Sequence, residues 1–242
     1  MQTDLLGIAN RANSERKHRF RNLYGMLNEA FLTDCWKDIN KNAAKGVDGV
    51  SANEYASSLS QNIHEVVEQL KGKRYRAKHV RRHNIPKDGN KLRPLGIPVV
   101  EDKLLQLAVA KILEAIYEQD FLPCSFGYRP GVSAHDAVDS IQAKLQFGKY
   151  NYIVEADIKG YFDNIDHEWL MKMLALRIDD KPFLQLIRKW LKAGVLELNG
   201  EVLDPNSGSP QGGVISPILA NIYLHYALDL WFEKVSVHGG IL

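Results

Sequence analysis

The sequence is poor in cysteine. Only Cys35 and Cys124 occur among its 242 residues, which is too few for a disulfide framework or a thiolate metal site, and no histidine stands at zinc-ligand spacing from either of them. The first residues, MQTDLLGIANR, lack the basic start and the long apolar run of a secretory signal. These features exclude a disulfide-stabilised secreted domain and predict a reducing, cytoplasmic setting.

A long uninterrupted apolar run is also missing. The most membrane-like stretch, residues 213–232, contains Pro217, Asn221, His225 and Asp229, and such residues are costly inside a membrane span. The stretch therefore predicts a buried core helix. Overall, 45% hydrophobic and 25% charged residues are typical of a globular chain with a sizeable core, and they exclude disorder, collagen and coiled coil.

Charge is nearly balanced in total but uneven along the chain. The formal net charge is only +2, yet residues 71–93 contain ten lysines and arginines against the single acid Asp88. A second basic group lies near the amino terminus and consists of Arg11, Arg16, Lys17, Arg19 and Arg21. One such run is often only a solvated face, whereas two blocks of the same sign usually meet a polyanion, so the pattern favours nucleic-acid binding.

Hydrophobic periodicity and helix caps predict an α+β fold. Ser51 and Glu54 form a capping box before an apolar stripe that ends at Gly72, and a second stripe of 3.6-residue period covers residues 104–116. Strands are expected at residues 79–85, 92–97, 152–156 and 195–203, the last with a hairpin turn at 199–200. Helices and strands alternate too irregularly for a regular parallel sheet.

Residues 154–167, VEADIKGYFDNIDH, hold the acids best suited to chemistry. The expected strand ends at Asp157, where a carboxylate is rigidly placed and open to solvent, as is needed to hold Mg²⁺ against a substrate phosphate. Asp163 and Asp166 are more simply explained as a turn residue and a helix cap. Asp157 is therefore the candidate metal ligand of this segment.

Two further segments contain residues typical of ligand-binding loops. In GSPQGGVISPILANIYL, residues 208–224, the glycines allow close backbone approach to a ligand and Gln211 offers an amide, although a tight loop before a core helix would explain the motif equally well. In IPKDGNKLRPLGIP, residues 85–98, a hairpin turn at Asp88 would let Lys87 and Arg93 face the same space. Such a pair of cations suits a triphosphate.

In their order along the chain, these segments resemble those of group II intron-encoded reverse transcriptases (maturases), over nearly the whole sequence. GVDGVSANEY and LRPLGIP resemble blocks of the fingers, SFGYRPGVSAHDAV the long block that follows, and ADIKGYFDNIDH and SPQGGVISPILANIYL two blocks of the palm. The resemblance implies right-hand polymerase fingers with an incomplete palm, helix-rich with a small antiparallel sheet. The expected divisions are an amino-terminal helical extension (1–45), the fingers (46–150) and a partial palm (151–242).

The resemblance also implies roles for individual residues. Asp157 would bind two Mg²⁺ ions, assisted by the backbone carbonyl of Ile158, and Phe162 would be a steric gate that clashes with a ribose 2′-OH. The other implied nucleotide contacts are Lys87, Arg93 and Gln211. The implied contacts to RNA are Arg74, Arg76, Arg81, Arg82 and Arg129. The implied reaction is two-metal transfer of deoxynucleotides to a DNA primer on an RNA template, beside a role in binding intron RNA and assisting its splicing.

The sequence departs from the family pattern at one point. No Tyr-x-Asp-Asp follows the Gln-Gly-Gly block, and the adjacent pair Asp179 and Asp180, with Pro182 next, precedes that block and predicts a helix cap. We therefore expect negligible polymerase activity from this chain alone, and self-association through uncovered apolar palm surface. Two alternatives stay open: a non-catalytic module that binds intron RNA, and complementation by a separate chain that supplies the missing acids.

Overall fold

The computed structural model describes residues 2–87, 91–148, 150–203, 207–208 and 212–238. Its α-helices are α1 (Gln2–Ser14), α2 (Glu29–Trp36), α3 (Ala52–Ala56), α4 (Leu59–Lys71), α5 (Val100–Tyr117), α6 (Ala134–Phe147), α7 (His167–Arg177), α8 (Lys181–Leu191), α9 (Ser216–Leu224) and α10 (Leu230–His238). Its strands are β1 (Val80–Lys87), β2 (Lys91–Ile97), β3 (Val195–Leu196) and β4 (Val202–Leu203). The expected helix-rich α+β fold is thus confirmed.

The four strands form one sheet in the order β2-β1-β3-β4. The β1–β2 and β3–β4 pairs are antiparallel, as expected of hairpins, but β1 and β3 pair in parallel, with Val80 opposite Val195. The expected antiparallel sheet is therefore wrong in this pair, and the sheet is mixed. A parallel pair needs a long crossover connection, and the helices from α5 to α8 supply it. The expected turn at Asp88 lies outside the described residues.

The core is built around α5. Its apolar stripe is fully buried and packs against α1, α2 and α9, so one continuous cluster of buried residues extends from Ala12 to Ile222. The membrane-like stretch forms α9, a π-helical turn (His225–Asp229) and α10, and α9 buries Ile218, Leu219 and Ile222. The predicted buried core helix is therefore confirmed for α9 and wrong for α10, where Leu230, Trp231 and Phe232 are exposed. None of the helices in the described part of the chain is long and apolar enough to cross a membrane.

Local capping residues set several helix boundaries. The Ser51–Glu54 capping box begins α3, but the single helix expected from there to Gly72 is divided into α3 and α4. The division lies at Ser58, whose φ of −130° and ψ of 37° are outside the helical range. Asp166 and Asp180 each accept a hydrogen bond from a backbone N–H in the first turn of α7 and α8, which confirms their expected capping roles.

A buried arginine attaches the amino-terminal helix to the rest of the core. The Arg177 guanidinium donates to the carbonyl oxygens of Ala12 (3.1 Å), Glu15 (3.0 Å) and His18 (3.2 Å) and to that of Arg16. Its Nε lies 2.9 Å from a carboxylate oxygen of Asp120. These contacts satisfy the carbonyl of Ala12 in the last turn of α1 and carbonyl groups of the turn that follows the helix.

The strand expected at residues 152–156 does not form. This segment has no regular secondary structure, and Tyr152 and Val154 are 88% and 92% exposed. A β-rich sequence becomes a strand only when a neighbouring strand pairs with its backbone. None of the strands in the described residues pairs with this segment, and it stays exposed without a strand.

Candidate functional site

Three segments that are distant in sequence line one groove of about 600 Å³. The first is β2 with Leu92 to Leu95, the second is residues 157–163, and the third is residues 212–217 at the start of α9. Tyr128 lines the same groove. The structure therefore brings together parts of the three motifs that sequence reasoning selected separately.

Glycine makes this convergence sterically feasible. Gly212 has φ +103°, and a Cβ atom at this position would lie 2.9 Å from the carbonyl oxygen of Gly96 in β2. At Gly208, with φ +89°, a Cβ atom would lie 2.8 Å from the carbonyl oxygen of Asp163. Any larger residue would push the segment away from β2 or from residues 157–163. At Gly208 and Gly212 the close approach is to the protein's own chain, so the predicted approach of these glycines to a ligand stays a prediction.

Hydrogen bonds fix the same segments to the helices. The backbone N–H of Val214 donates to Oε1 of Gln106 in α5 at 3.0 Å, and the Tyr161 hydroxyl donates to the carbonyl oxygen of Ala220 in α9 at 2.7 Å. Behind the groove, the backbone N–H of Gly208 donates to the carbonyl oxygen of Ile165 at 2.8 Å. The groove walls are therefore attached to the buried core through α5 and α9.

Asp157 and Ile158 lie on the groove wall and are both exposed. Asp163 lines the same groove, so a second carboxylate is nearby that sequence reasoning assigned to a turn. In the described part of the chain, no three His, Cys, Asp or Glu side chains form a metal cage. Mg²⁺ in phosphate-transfer sites commonly uses one or two protein carboxylates together with substrate phosphates, and the exposed Asp157 carboxylate fits that kind of shared coordination.

Phe162 begins a 3₁₀ turn (Phe162–Asn164) and is half-buried in the groove wall. Its ring contacts two others: Tyr161 at a centroid distance of 5.7 Å and Tyr128 at 6.2 Å, the latter edge to face with an interplanar angle of 84°. Edge-to-face pairs at these distances are favourable for aromatic rings. The ring predicted to be a steric gate is therefore held by neighbouring aromatic residues.

Of the three residues predicted to contact the nucleotide beside Phe162, the structure places Arg93 in the groove. Arg93 is exposed on β2, lines the groove and lies opposite Ile85 of β1 in the sheet register. Lys87 is the last residue of β1 and lies opposite Lys91. This pair is two positions along the hairpin from the pair formed by Ile85 and Arg93. The predicted contact from Gln211 falls on a residue outside those described.

The five arginines predicted to contact RNA fall into two groups. Arg74 and Arg76 are exposed in the loop between α4 and β1. The other three make contacts within the fold: Arg81 donates twice to the carbonyl oxygen of Lys45, Arg82 pairs with Glu197, and Arg129 pairs with Glu118. Contact of these three with an RNA backbone stays a prediction, and it would compete with the contacts they already make.

A buried polar network holds the base of the β1–β2 hairpin against the helices. Asp102 at the start of α5 accepts hydrogen bonds from the Tyr75 hydroxyl and from the backbone N–H of Lys78, the latter at 3.1 Å. Trp190 of α8 donates from Nε1 to the same Tyr75 hydroxyl at 2.9 Å. Burial raises the pKa of Asp102 to about 6, although both hydrogen bonds act in the opposite direction.

Sequence reasoning missed Tyr128 as a residue of the groove. It lies within SFGYRPGVSAHDAV, a segment selected only for its resemblance to a block that follows the fingers. A local signal existed, because Tyr128 follows Gly127 and precedes Arg129-Pro130, where turn-forming residues concentrate. That signal predicts a turn, but it does not indicate that the ring reaches residues 157–163.

Comparison with known proteins supports the resemblance. Residues 85–239 match the model of the family described as "Reverse transcriptase (RNA-dependent DNA polymerase)". Group II intron-encoded protein LtrA of Lactococcus lactis subsp. cremoris is 47% identical over 192 residues, which cover 79% of this chain and 32% of that protein. Protein YkfC of Escherichia coli (strain K12) is 38% identical over 212 residues, which cover 81% of this chain and 55% of that protein.

A solved structure titled as a partial Cas6-RT-Cas1–Cas2 complex is also similar. It has a TM-score of 0.54 and 26% sequence identity, and the match covers 89% of this chain and 35% of that one. This chain thus spans about a third of LtrA and about half of YkfC. The family match extends over more than half of the sequence and includes the groove. On this evidence the chain belongs to the reverse transcriptase (RNA-dependent DNA polymerase) family.

Proposed function

We propose that this chain forms the fingers and part of the palm of an RNA-directed DNA polymerase of the group II intron-encoded type. The observation that carries the proposal is the convergence of Asp157, Phe162 and Arg93 on one groove. A carboxylate, an aromatic ring and a guanidinium in one space match the three parts of a deoxynucleoside triphosphate with its metal. The divisions at residues 45 and 150 belong to the same proposal.

In this function each residue acts on one part of the nucleotide. Arg93 offers a bidentate fork to the triphosphate, with Lys87 as a second cation on the neighbouring strand. Phe162 closes the space in which a ribose 2′-OH would lie, and Gln211 contacts the sugar or the base pair. These residues bind and orient the nucleotide so that its α-phosphate faces the primer 3′-OH.

The proposed cofactor is Mg²⁺, which would be held by the Asp157 carboxylate with help from the Ile158 carbonyl. When bound, the metal pair supplies activation of the primer hydroxyl and neutralisation of the leaving pyrophosphate. Asp157 contributes a negative charge at a solvent-accessible position in the groove. Its exposure permits a metal ion to share this carboxylate with the substrate phosphates.

The proposed nucleic-acid partners are an RNA template, a DNA primer and the intron RNA. Support comes from the exposed arginines Arg74 and Arg76 and from the excess of basic residues over positions 71–93. Such a surface binds a phosphate backbone largely without regard to sequence, and binding weakens steeply as salt rises.

The first test measures binding of dATP to the chain with and without Mg²⁺. Asp157→Asn should lose the Mg²⁺-dependent part of the affinity, because an amide oxygen replaces a charged ligand. Asp139→Asn, an exposed acid on α6, is the matched control and should keep that part. Binding that EDTA leaves unchanged in the unaltered chain would contradict the assignment of Asp157.

The second test examines the nucleotide contacts in the same assay. Phe162→Ala should reduce the preference for dATP over ATP, because the ring no longer opposes the 2′-OH. Arg93→Ala should weaken binding by roughly 1.5–3 kcal/mol, the scale of a hydrogen bond to a charged group. Arg188→Ala, whose partner Glu168 is exposed and lies away from the groove, is the control. An unchanged sugar preference or an unchanged affinity removes the corresponding residue from its role.

A second candidate function is a non-catalytic module that binds intron RNA. It is favoured by the exposed arginines Arg74 and Arg76 and by the excess of basic residues over positions 71–93. Tight, salt-sensitive binding of structured intron RNA without detectable dATP binding would select this function. Binding of both RNA and dATP would select the polymerase.

A further inference from the structure

Tyr128 combines an unfavourable backbone conformation with an exposed ring. Its φ is +55°, in the left-handed region that a bulky side chain rarely adopts. Burial does not offset this cost, because 69% of the residue is exposed. Strained residues of this kind persist where the surrounding structure fixes them, and they concentrate at functional sites.

The chain is fixed on both sides of Tyr128. On one side, the buried Asn221 of α9 donates from Nδ2 to the carbonyl oxygen of Gly127 at 2.7 Å. On the other side, the Arg129 guanidinium donates to Glu118 at 3.0 Å and to the carbonyl oxygen of Ser125 at 2.6 Å. These contacts hold the backbone conformation of Tyr128 at the groove.

The ring of Tyr128 is placed against the proposed steric gate. The Phe162 ring contacts the rings of Tyr161 and Tyr128. The Tyr161 hydroxyl donates to the Ala220 carbonyl in α9. Both Tyr128 and Phe162 line the groove that contains Arg93 and Asp157. One aromatic neighbour of Phe162 is thus anchored to the core, while the other is exposed at the groove surface.

We infer that Tyr128 determines sugar specificity: with Phe162 it forms a two-ring wall that contacts the sugar of a nucleoside triphosphate and limits the space at its 2′ position. This inference rests on the proposed nucleotide site. A triphosphate on Arg93, with its metal at Asp157, would place the sugar beside these two rings. The backbone strain is then explained by ligand contact, because the exposed ring adds little to the core.

The test measures the ratio of ATP to dATP dissociation constants for the chain with Mg²⁺. Tyr128→Ala should reduce the preference for dATP roughly tenfold, at the low end of what one steric contact in a pocket provides. Tyr128→Phe should retain the preference, because the ring is kept. Tyr150→Ala removes an exposed tyrosine that does not line the groove, and it serves as the control.

A stability measurement separates this role from simple packing. Tyr128→Gly should have a higher melting temperature than Tyr128→Ala, because glycine adopts positive φ without strain, yet it should lose the sugar preference equally. An unchanged ratio in both variants, with Phe162→Ala reducing it, overturns the inference alone. An unchanged ratio in Phe162→Ala removes Phe162 from the two-ring wall and overturns the inference, while the nucleotide site at Arg93 and Asp157 stands. No nucleotide binding by the unaltered chain overturns the proposed nucleotide site and this inference with it.

Discussion

The helices α5 and α6 have similar sequence patterns but different surroundings. Both show apolar residues at helical spacing, yet α5 buries most of its residues against three other helices, whereas α6 has none that is buried. Val138, Ile141 and Leu145 form an exposed apolar stripe on α6. Periodicity therefore predicts which face of a helix is apolar, but not whether another element covers that face. The self-association expected through apolar palm surface around residues 218–231 concerns a different surface and stays a prediction.

The largest loss of stability is expected from removing Arg177, which attaches α1 to the core. Arg177→Ala removes the closer of the two cations at the half-buried Asp120, leaving Arg16 at 3.5 Å, and it removes a donor from four carbonyl groups. We expect a loss of about 3–5 kcal/mol in unfolding free energy, as for other broken buried pairs. Urea unfolding measures it.

The control for this change is Arg188→Ala, which breaks the exposed pair with Glu168 and should cost no more than about 1 kcal/mol. Equal losses in the two variants would show that Arg177 does not anchor α1.

A matched leucine pair compares the two helices directly. Leu105→Ala in α5 removes a fully buried side chain, and Leu145→Ala in α6 removes one that is 41% exposed. We expect a loss of about 2–5 kcal/mol for the first and roughly 0.5 kcal/mol for the second. A large loss in the second variant, measured by urea unfolding at low protein concentration, would mean that α6 is covered in solution.

The raised pKa of the buried Asp102 should make the stability of the chain depend on pH. Its pKa rises from 3.8 unfolded to about 6 in the folded chain, so the folded state binds the proton more tightly between these values. The contribution of Asp102 to stability is therefore fully present below about pH 4 and is lost as the pH rises through about 6, by roughly 2–3 kcal/mol.

The measurement is urea unfolding from pH 4 to pH 7 for the unaltered chain and for Asp102→Asn, which cannot lose this proton. The unaltered chain should lose stability relative to the variant over that range. A difference between the two that does not change with pH would contradict the raised pKa.

The smallest expected effect is on the salt dependence of RNA binding, which should differ between an exposed arginine and one that forms an ion pair. Arg74→Gln removes an exposed cation, whereas Arg82→Gln removes one that is paired with Glu197. In RNA binding as a function of salt, Arg74→Gln should reduce the slope of log K against log salt by about 1, and Arg82→Gln should reduce it less. Equal reductions would mean that the Arg82 pair opens when RNA binds.

Sequence reasoning predicted the local features of this fold well. The caps at Ser51, Asp166 and Asp180 and the β1–β2 hairpin are present where expected, because each depends on residues a few positions apart. The motifs also indicated the groove residues Asp157 and Arg93, since their chemistry is visible in the residue types, whereas Phe162 was indicated only by the family resemblance.

The tertiary structure decided everything that depends on a distant partner. It made β1 and β3 parallel, left residues 152–156 without a strand, and paired Arg82 and Arg129 with acids while Arg74 stayed exposed. It also placed Tyr128 against Phe162. Strand pairing, ion pairing and ring contact each require a second segment, and the sequence near a residue does not contain the position of that segment.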